Sequence, residues 1–217
     1  MHEHHYNAIL AMSSIILRAT GHKERGLCNS LELLKIIEQI SPAVIFEEIP
    51  PGKFEAVYGG TRHDSLETEA IKTYLQKYPA THHYPVDLDI DQATEKQIKV
   101  DFGGISFVCT NYSPEYNFLS GQIPYWSEIY GFLFLNDDRC SELLWRKRIL
   151  ERQILDTLRK DDHQRTMDHE KLEQAYENRI DQTENRENEM IRNIYSYMKS
   201  DNYERAIFLV GQNTENQ

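Results

Sequence analysis

Two short apolar runs sit on either side of a helix-patterned segment near the start of this chain, and few folds accommodate that arrangement. From Ala8 to Leu17 the apolar density is high, and Ile15, Ile16 and Leu17 are continuous, as expected of a strand covered on both faces. Gly26 to Ser30 reads as a turn, with Asn29 or Ser30 positioned to cap a helix. The segment SLELLKIIEQI then places Leu31, Leu34, Ile37 and Ile40 at helical spacing, widened by Leu33 and Ile36, and Ser41-Pro42 stops it. The second apolar run, AVIFEEIP, ends at Pro50-Pro51. A strand, a helix and a strand in that order predict parallel pairing through a right-handed crossover.

The alternation continues. Leu66, Ala70, Ile71, Tyr74 and Leu75 share one helical face, and THHYPVDLD follows as a third strand weakened by Pro85. Tyr112 to Leu135 is aromatic-rich and reads as helix broken near Gly121 and Pro124. Asp138 to about Asp161 is helical in pattern. Met167 to Ser200 reads as one long helix or two joined ones, with Met190, Ile191, Ile194 and Met198 as an apolar stripe. RAIFLVG (Arg205 to Gly211) is the last strand, as apolar as the first. The expected fold is α/β: a small, mainly parallel sheet of about four strands flanked by helices. A large helical insertion, about 112–180, precedes the last strand, all within a single domain over 1–217.

Composition narrows the function classes. The 217 residues carry 24 Lys and Arg against 35 Asp and Glu, a net charge of −11. That disfavours nucleic acid and anionic lipid surfaces, whose binding draws on clustered cations. Cys28, Cys109 and Cys140 are widely spaced and form neither a CxxC pair nor a zinc spacing, so the expected setting is reducing and cytoplasmic. No stretch approaches the roughly 20 apolar residues of a membrane span, and the start lacks a signal-peptide pattern.

In open parallel sheets ligands bind beyond the carboxyl ends of the strands. Those ends give His22 after the first strand, Glu47 and Glu48 after the second, Asp87 and Asp89 after the third, and the Gly211 loop after the last. The helix before the last strand must run antiparallel to it. Counting 14 residues back from Ser200 covers roughly 21 Å and brings Arg186 level with the same rim. There it stands at the margin of the Met190/Ile194 stripe, with Glu187 nearer the centre. Each residue also has an ordinary reading: His22 as a loop residue, Arg186 as an exposed helical charge, and one glutamate as a capped or ion-paired strand end. The coincidence of imidazole, carboxylate and guanidinium on one rim is what points to a site. An Arg holds a carboxylate bidentately, and a His beside a carboxylate serves as base or metal ligand. Of the two glutamates at most one can face a given neighbour. Gly60 to His63 (GTRH) is set aside, since no strong strand precedes it. His2, His4 and His5, and the pair His82 and His83, are set aside as terminal and loop histidines. There is no Walker loop, GxGxxG or GxSxG.

Four short motifs, in order, resemble the TraB/Tiki superfamily, which also takes in ChaN-like and erythromycin-esterase-like proteins. ATGH (Ala19 to His22) is similar to that family's Gly-Thr-x-His strand end, with Ala19 in place of the glycine; VIFEE is similar to its Phe-Glu strand end; RENEMIRNI is similar to its Arg-x-x-x-Met helix at Arg186; FLVGQNT is similar to its Gly-x-x-His strand end through Gly211. Thr214 stands where the family has a second histidine, and the chain ends at Gln217 where relatives continue. The resemblance implies ester or metal-dependent peptide hydrolysis on a small-molecule or peptide substrate. His22 would be base or metal ligand, Glu47 would activate water or bind metal with Glu48 in support, and Arg186 would orient Glu47 or hold an anionic group. Because Thr214 is a poor ligand, the expected requirement for a divalent metal is weak or absent. The alternative is a degenerate or truncated member, without catalysis, that keeps the sheet as a ligand- or protein-binding module.

Overall fold

The structure, a computed structural model, describes residues 14–60, 65–160, 167–201 and 203–211. The chain opens with β1 (Ser14–Thr20), α1 (Ser30–Ile40), β2 (Val44–Glu47), α2 (Pro51–Tyr58), α3 (Leu66–Lys77) and β3 (His82–Pro85). The helices α4 (Gln92–Tyr112), α5 (Pro114–Tyr130), α6 (Phe132–Leu135), α7 (Asp138–Lys160) and α8 (Met167–Ser200) follow, and β4 (Arg205–Gly211) closes the sheet. The four strands are all parallel, in the order β1-β4-β2-β3. The segments around Ile15, Val44 and Phe208 therefore lie side by side in one parallel sheet, as expected, with the last strand inserted between the first two. In that register Thr20 lies beside Gly211, and Glu47 beside both Leu209 and Pro85, so all four strands finish at one rim.

Strand alternation sorts the core into two faces. Ile45, Ile207 and Leu209 pack with Leu33, Ile37, Ile71 and Leu135 from α1, α3 and α6. Val44, Phe46 and Ala206 face the other way, against Met190 and Ile194 of α8 and Tyr203. Over the inner strands β2 and β4 each face is thus closed by helices. A third cluster, Ile105, Cys109, Tyr116, Ile154, Leu155 and Tyr176, lies within the helical region and draws on α4, α5, α7 and α8.

Several sequence expectations change. The first strand is centred later than Ala8 to Leu17, and residues 1–13 lie outside those described. It is also not covered on both faces: as an edge strand it leaves Leu17 59% exposed. The doubly buried strand is β2, all four of whose residues are buried. Pro85 ends β3, the opposite edge strand, where a missing ladder donor is tolerated. The helical region opens at Gln92, well before Tyr112, and Pro51 sits at the first position of α2 rather than only ending a strand. The chain does not break near Gly121 and Pro124. Buried Tyr116, Leu119, Ile123 and Ser127 hold α5 on both sides of Pro124, and the break falls at Gly131. Gly131 has φ +57°, and a Cβ there would lie 2.5 Å from the Leu27 carbonyl oxygen, so only glycine fits this corner. Asn29, of the two expected caps, accepts from the Glu32 N–H at 3.0 Å.

Candidate functional site at the carboxyl rim

Because Val44 and Phe46 face α8, the next residue on that side is Glu48, while Glu47 shares the face of Ile45. The two carboxylates therefore have different partners. Glu48 accepts from Arg186 Nη2 at 2.6 Å and from the Gly211 backbone N–H at 2.5 Å. Arg186 makes its planar two-bond fork to a different carboxylate, Asp87: Nε to Oδ1 at 3.0 Å and Nη2 to Oδ2 at 2.6 Å. The expected contact between Arg186 and the Glu47/Glu48 pair thus falls on Glu48. Glu47 faces away, 3% exposed, with His83 Nδ1 2.8 Å from Oε1 and the Tyr58 hydroxyl donating to Oε2 at 2.5 Å. The Phe54, Tyr58 and His83 rings pack around it at 4.5–4.9 Å. His83, set aside from the sequence, is accordingly a structural partner of the second strand end. Glu187, expected nearer the apolar stripe, is exposed, and Arg186, four residues before Met190, turns inward.

His22 lies two residues past β1. Its Nδ1 is 3.3 Å from Glu67 Oε1 in the first turn of α3, an ion-pair approach rather than a well-aligned hydrogen bond. Thr20 Oγ1 donates to the same Glu67 oxygen at 2.8 Å. Glu67 Oε2 is buried and has no hydrogen-bond partner among the described residues. The imidazole lies against Gly211: a Cβ on that residue would sit 2.3 Å from His22 Cε1 and 2.4 Å from Nε2. Gly211 thus serves close approach.

His22, Glu48, Asp87 and Arg186 line one cleft of about 500 Å³. Lys53, Glu95 and Lys99 line it further out, and Val57, Ile90, Ile98 and Phe102 give it an apolar wall. A smaller cavity of about 40 Å³ lies inward, between Thr20, Glu47, Glu48, Glu67 and Thr68.

The charges are unevenly perturbed. The Glu67 contact raises the His22 pKa; partial burial opposes this, nearby Glu48 adds to the rise, and Arg186 works against it. Burial pushes Glu67 up, but the contacts from His22, Ser65 and Thr20 outweigh it and hold the carboxyl below its usual range. For Glu48 the balance reverses: burial wins over Arg186, His22 and Gly211, and the pKa rises. Burial works to lower the Arg186 pKa, and Asp87 and Glu48 overcome it, so the guanidinium stays charged. At the outer lip, hydrogen bonds from Lys53 and Lys99 hold Glu95 down to about 2.

Asp87 was legible as a rim position but not as Arg186's main partner, Thr20 only as the threonine of the ATGH motif, and Glu67 and Tyr58 carried no signal. A glutamate in the first turn of a helix reads as an ordinary favourable charge at the positive end of the dipole. Among the described residues no set of three His, Cys, Asp or Glu side chains is arranged to hold a metal ion. Thr214 and the His2–His5 segment lie outside the described residues, as do residues 61–63 of the GTRH segment. Fold and rim together define an α/β protein with a four-stranded parallel sheet and a cleft at its carboxyl edge. The chain matches no known protein family, no curated protein and no solved structure.

Proposed function

We propose that this protein is a hydrolase of the TraB/Tiki type, acting in the cytoplasm on a small-molecule or peptide substrate bound in the rim cleft. The observation that carries the reading is convergence: His22, Glu48 and Arg186, from three distant parts of the chain, line the same cleft. In this reading His22 is the general base. It takes a proton from a water molecule as that water attacks the substrate carbonyl, and returns the proton to the leaving group as the carbon–heteroatom bond breaks. Glu48, Arg186 and Asp87 form the rigid polar wall that orients the substrate. Val57, Ile98 and Phe102 favour a substrate with an apolar portion. Glu47, turned to the other face, supports the strand end through Tyr58 and His83 rather than activating water. The cytoplasmic setting rests on the three free, buried cysteines, and the exclusion of nucleic acid on the charge of −11. No described helix is long and apolar enough to cross a membrane.

The test is a panel of 4-nitrophenyl esters of increasing acyl length and internally quenched peptides, with wild-type protein and His22→Asn. Turnover of at least one substrate is expected, falling roughly 10²–10⁴-fold in the variant. A second reading has its own support. Glu48 is taken up by Arg186 and Gly211, and Arg186 by Asp87 and Glu48, so the wall is satisfied without a ligand. That favours a non-catalytic binding module. Wild-type protein inert across the panel would leave this second reading standing.

A further inference from the structure

We propose that Glu67 is the positioning residue of His22: with Thr20 it fixes the imidazole so that Nδ1 carries the proton and Nε2 presents a bare lone pair to the rim. The inference rests on reading His22 as the base of the cleft. Thr20 is fully buried, and its hydroxyl donates to Glu67 Oε1 at 2.8 Å, which ties the first turn of α3 to the strand end. Glu67 is itself only 13% exposed at its side chain, so its carboxylate has little freedom to swing away. The same oxygen lies 3.3 Å from His22 Nδ1. An ionised carboxylate only accepts hydrogen bonds, so the ring nitrogen facing it must be the protonated one. The neutral imidazole is then the Nδ1–H tautomer, the less common one in free histidine. A turned-over ring would still lay a Cε1–Nε2 edge against Gly211 but would offer Cδ2 in place of Nδ1 to Glu67, so on a side chain that is 61% exposed it is the carboxylate, and not packing, that selects the orientation. A carboxylate on one nitrogen and a base at the other is the arrangement by which a third group orients a catalytic imidazole. Contacts of this kind are commonly long before substrate binds and tighten afterwards.

The competing charges are identifiable. Glu48, after β2, adds to the pull of Glu67, and Arg186, from α8, opposes it. Glu48 and Arg186 are bonded to each other, to Asp87 and to Gly211, and Glu67 to Thr20 and His22, so removing Glu67 is separable from removing either.

The experiment is long-range ¹H–¹⁵N NMR on the full chain, with His22 assigned through its backbone, recorded from pH 5 to 9. In wild type the neutral form should show a protonated Nδ1 and a pyridine-like Nε2, and His22 should titrate above the value of free histidine. Glu67→Gln should return that midpoint towards the free value, and Glu67→Leu should shift the neutral form towards Nε2–H. Thr20→Val should weaken both effects without abolishing them, and Glu67→Asp should restore part of the raised midpoint. A protonated Nε2 in wild type overturns the proposal, and that measurement needs no variant to fold. An unchanged midpoint in a folded Glu67→Gln protein overturns it as well. None of these readouts needs a substrate. The expected tautomer in a protein inert on every ester and peptide would sink the hydrolase and keep the pairing; the opposite tautomer in an active enzyme would do the reverse.

Discussion

Arg186 divides its guanidinium between two carboxylates of unequal geometry. Asp87 receives the two-bond fork and Glu48 a single bond. The side chain is 29% exposed, so the network lies between a dry pair, worth roughly 3–5 kcal/mol when one partner is removed, and an exposed one at roughly 1 kcal/mol or less. Double-mutant cycles in urea, Arg186→Met with Asp87→Asn and with Glu48→Gln, should both be non-additive, with the larger coupling to Asp87. Additive losses in both cycles would show Arg186 to be a plain surface residue. The His22–Glu67 pair has a defined pH window. His22 is raised above its ordinary 6.5, so its contribution is fully present below that value and is lost as pH rises through the folded pKa. Glu67 is lowered from 4.5, so its contribution is present above that value and is lost as pH falls through the folded pKa. Between them both partners are charged. The stability difference between wild type and Glu67→Gln should therefore be largest between about pH 4.5 and 6.5 and shrink on both sides, as read by denaturant midpoints across pH. A difference that is flat with pH would show that the two side chains do not interact.

At the scale of elements, α8 does two jobs. Its 34 residues span about 51 Å, with Ala175 and Tyr176 in the helical cluster and Met190 and Ile194 on the sheet. Between those two apolar stretches its inward positions are Arg179, Thr183 and Arg186, and the cleft opens where they meet the rim. Arg179, 6% exposed, pairs with Glu151 of α7, 1% exposed, which also accepts from the Tyr116 hydroxyl at 2.8 Å. Phe102 and Tyr176 cover the guanidinium at 5.3 and 4.9 Å. Replacing Arg179 by Met should cost roughly 3–5 kcal/mol because it strands a buried carboxylate, whereas the double replacement Arg179→Met with Glu151→Leu should recover much of that loss. Chemical denaturation of the three variants decides it; a single mutant no worse than the double would mean that water reaches Glu151. The corner at Gly131 belongs to the same scale. Gly131→Ala should lower stability by more than about 1 kcal/mol, whereas the same replacement at a compatible glycine is stabilising, because the positive φ and the Leu27 carbonyl both oppose a side chain.

At the scale of the whole molecule, the three thiols report whether the two sets of cores stay closed. Cys28 and Cys140 lie in or beside the sheet core, Cys109 in the helical cluster, and all three are buried. Burial pushes the Cys28 and Cys140 thiols up to about 11, leaving little thiolate at neutral pH. A disulfide reagent such as Ellman's should therefore find no fast-reacting thiol in the native protein and three after denaturation. One thiol reacting early, with the others protected, would show that one of the two regions opens on its own.

The β-α-β reading at the start of the chain rested on local pattern: runs of β-branched residues, a helical stripe and a capped turn act through nearest neighbours, and these are written in order along the sequence. The placement of Arg186 level with the rim followed from helix rise and strand rise alone, since a straight helix carries distance faithfully over 14 residues. The identity of its partners did not follow. Whether Glu47 or Glu48 faced α8 depended on which strand residues that helix covered, and the fork to Asp87 depended on β3 lying next to β2 rather than next to β1. The pairing of His22 with Glu67 required α3 to bring its first turn beside the end of β1, across 45 residues of chain with no shared periodicity. Leu17 read as interior because apolarity is a local property, yet it stands on an edge strand, and position within a sheet belongs to the order of all four strands. Local patterning, summed along the chain, determined the elements and the rim; the order of the strands and the faces that the helices cover decided which charges meet there, because those contacts join segments whose separation no local interaction can sense.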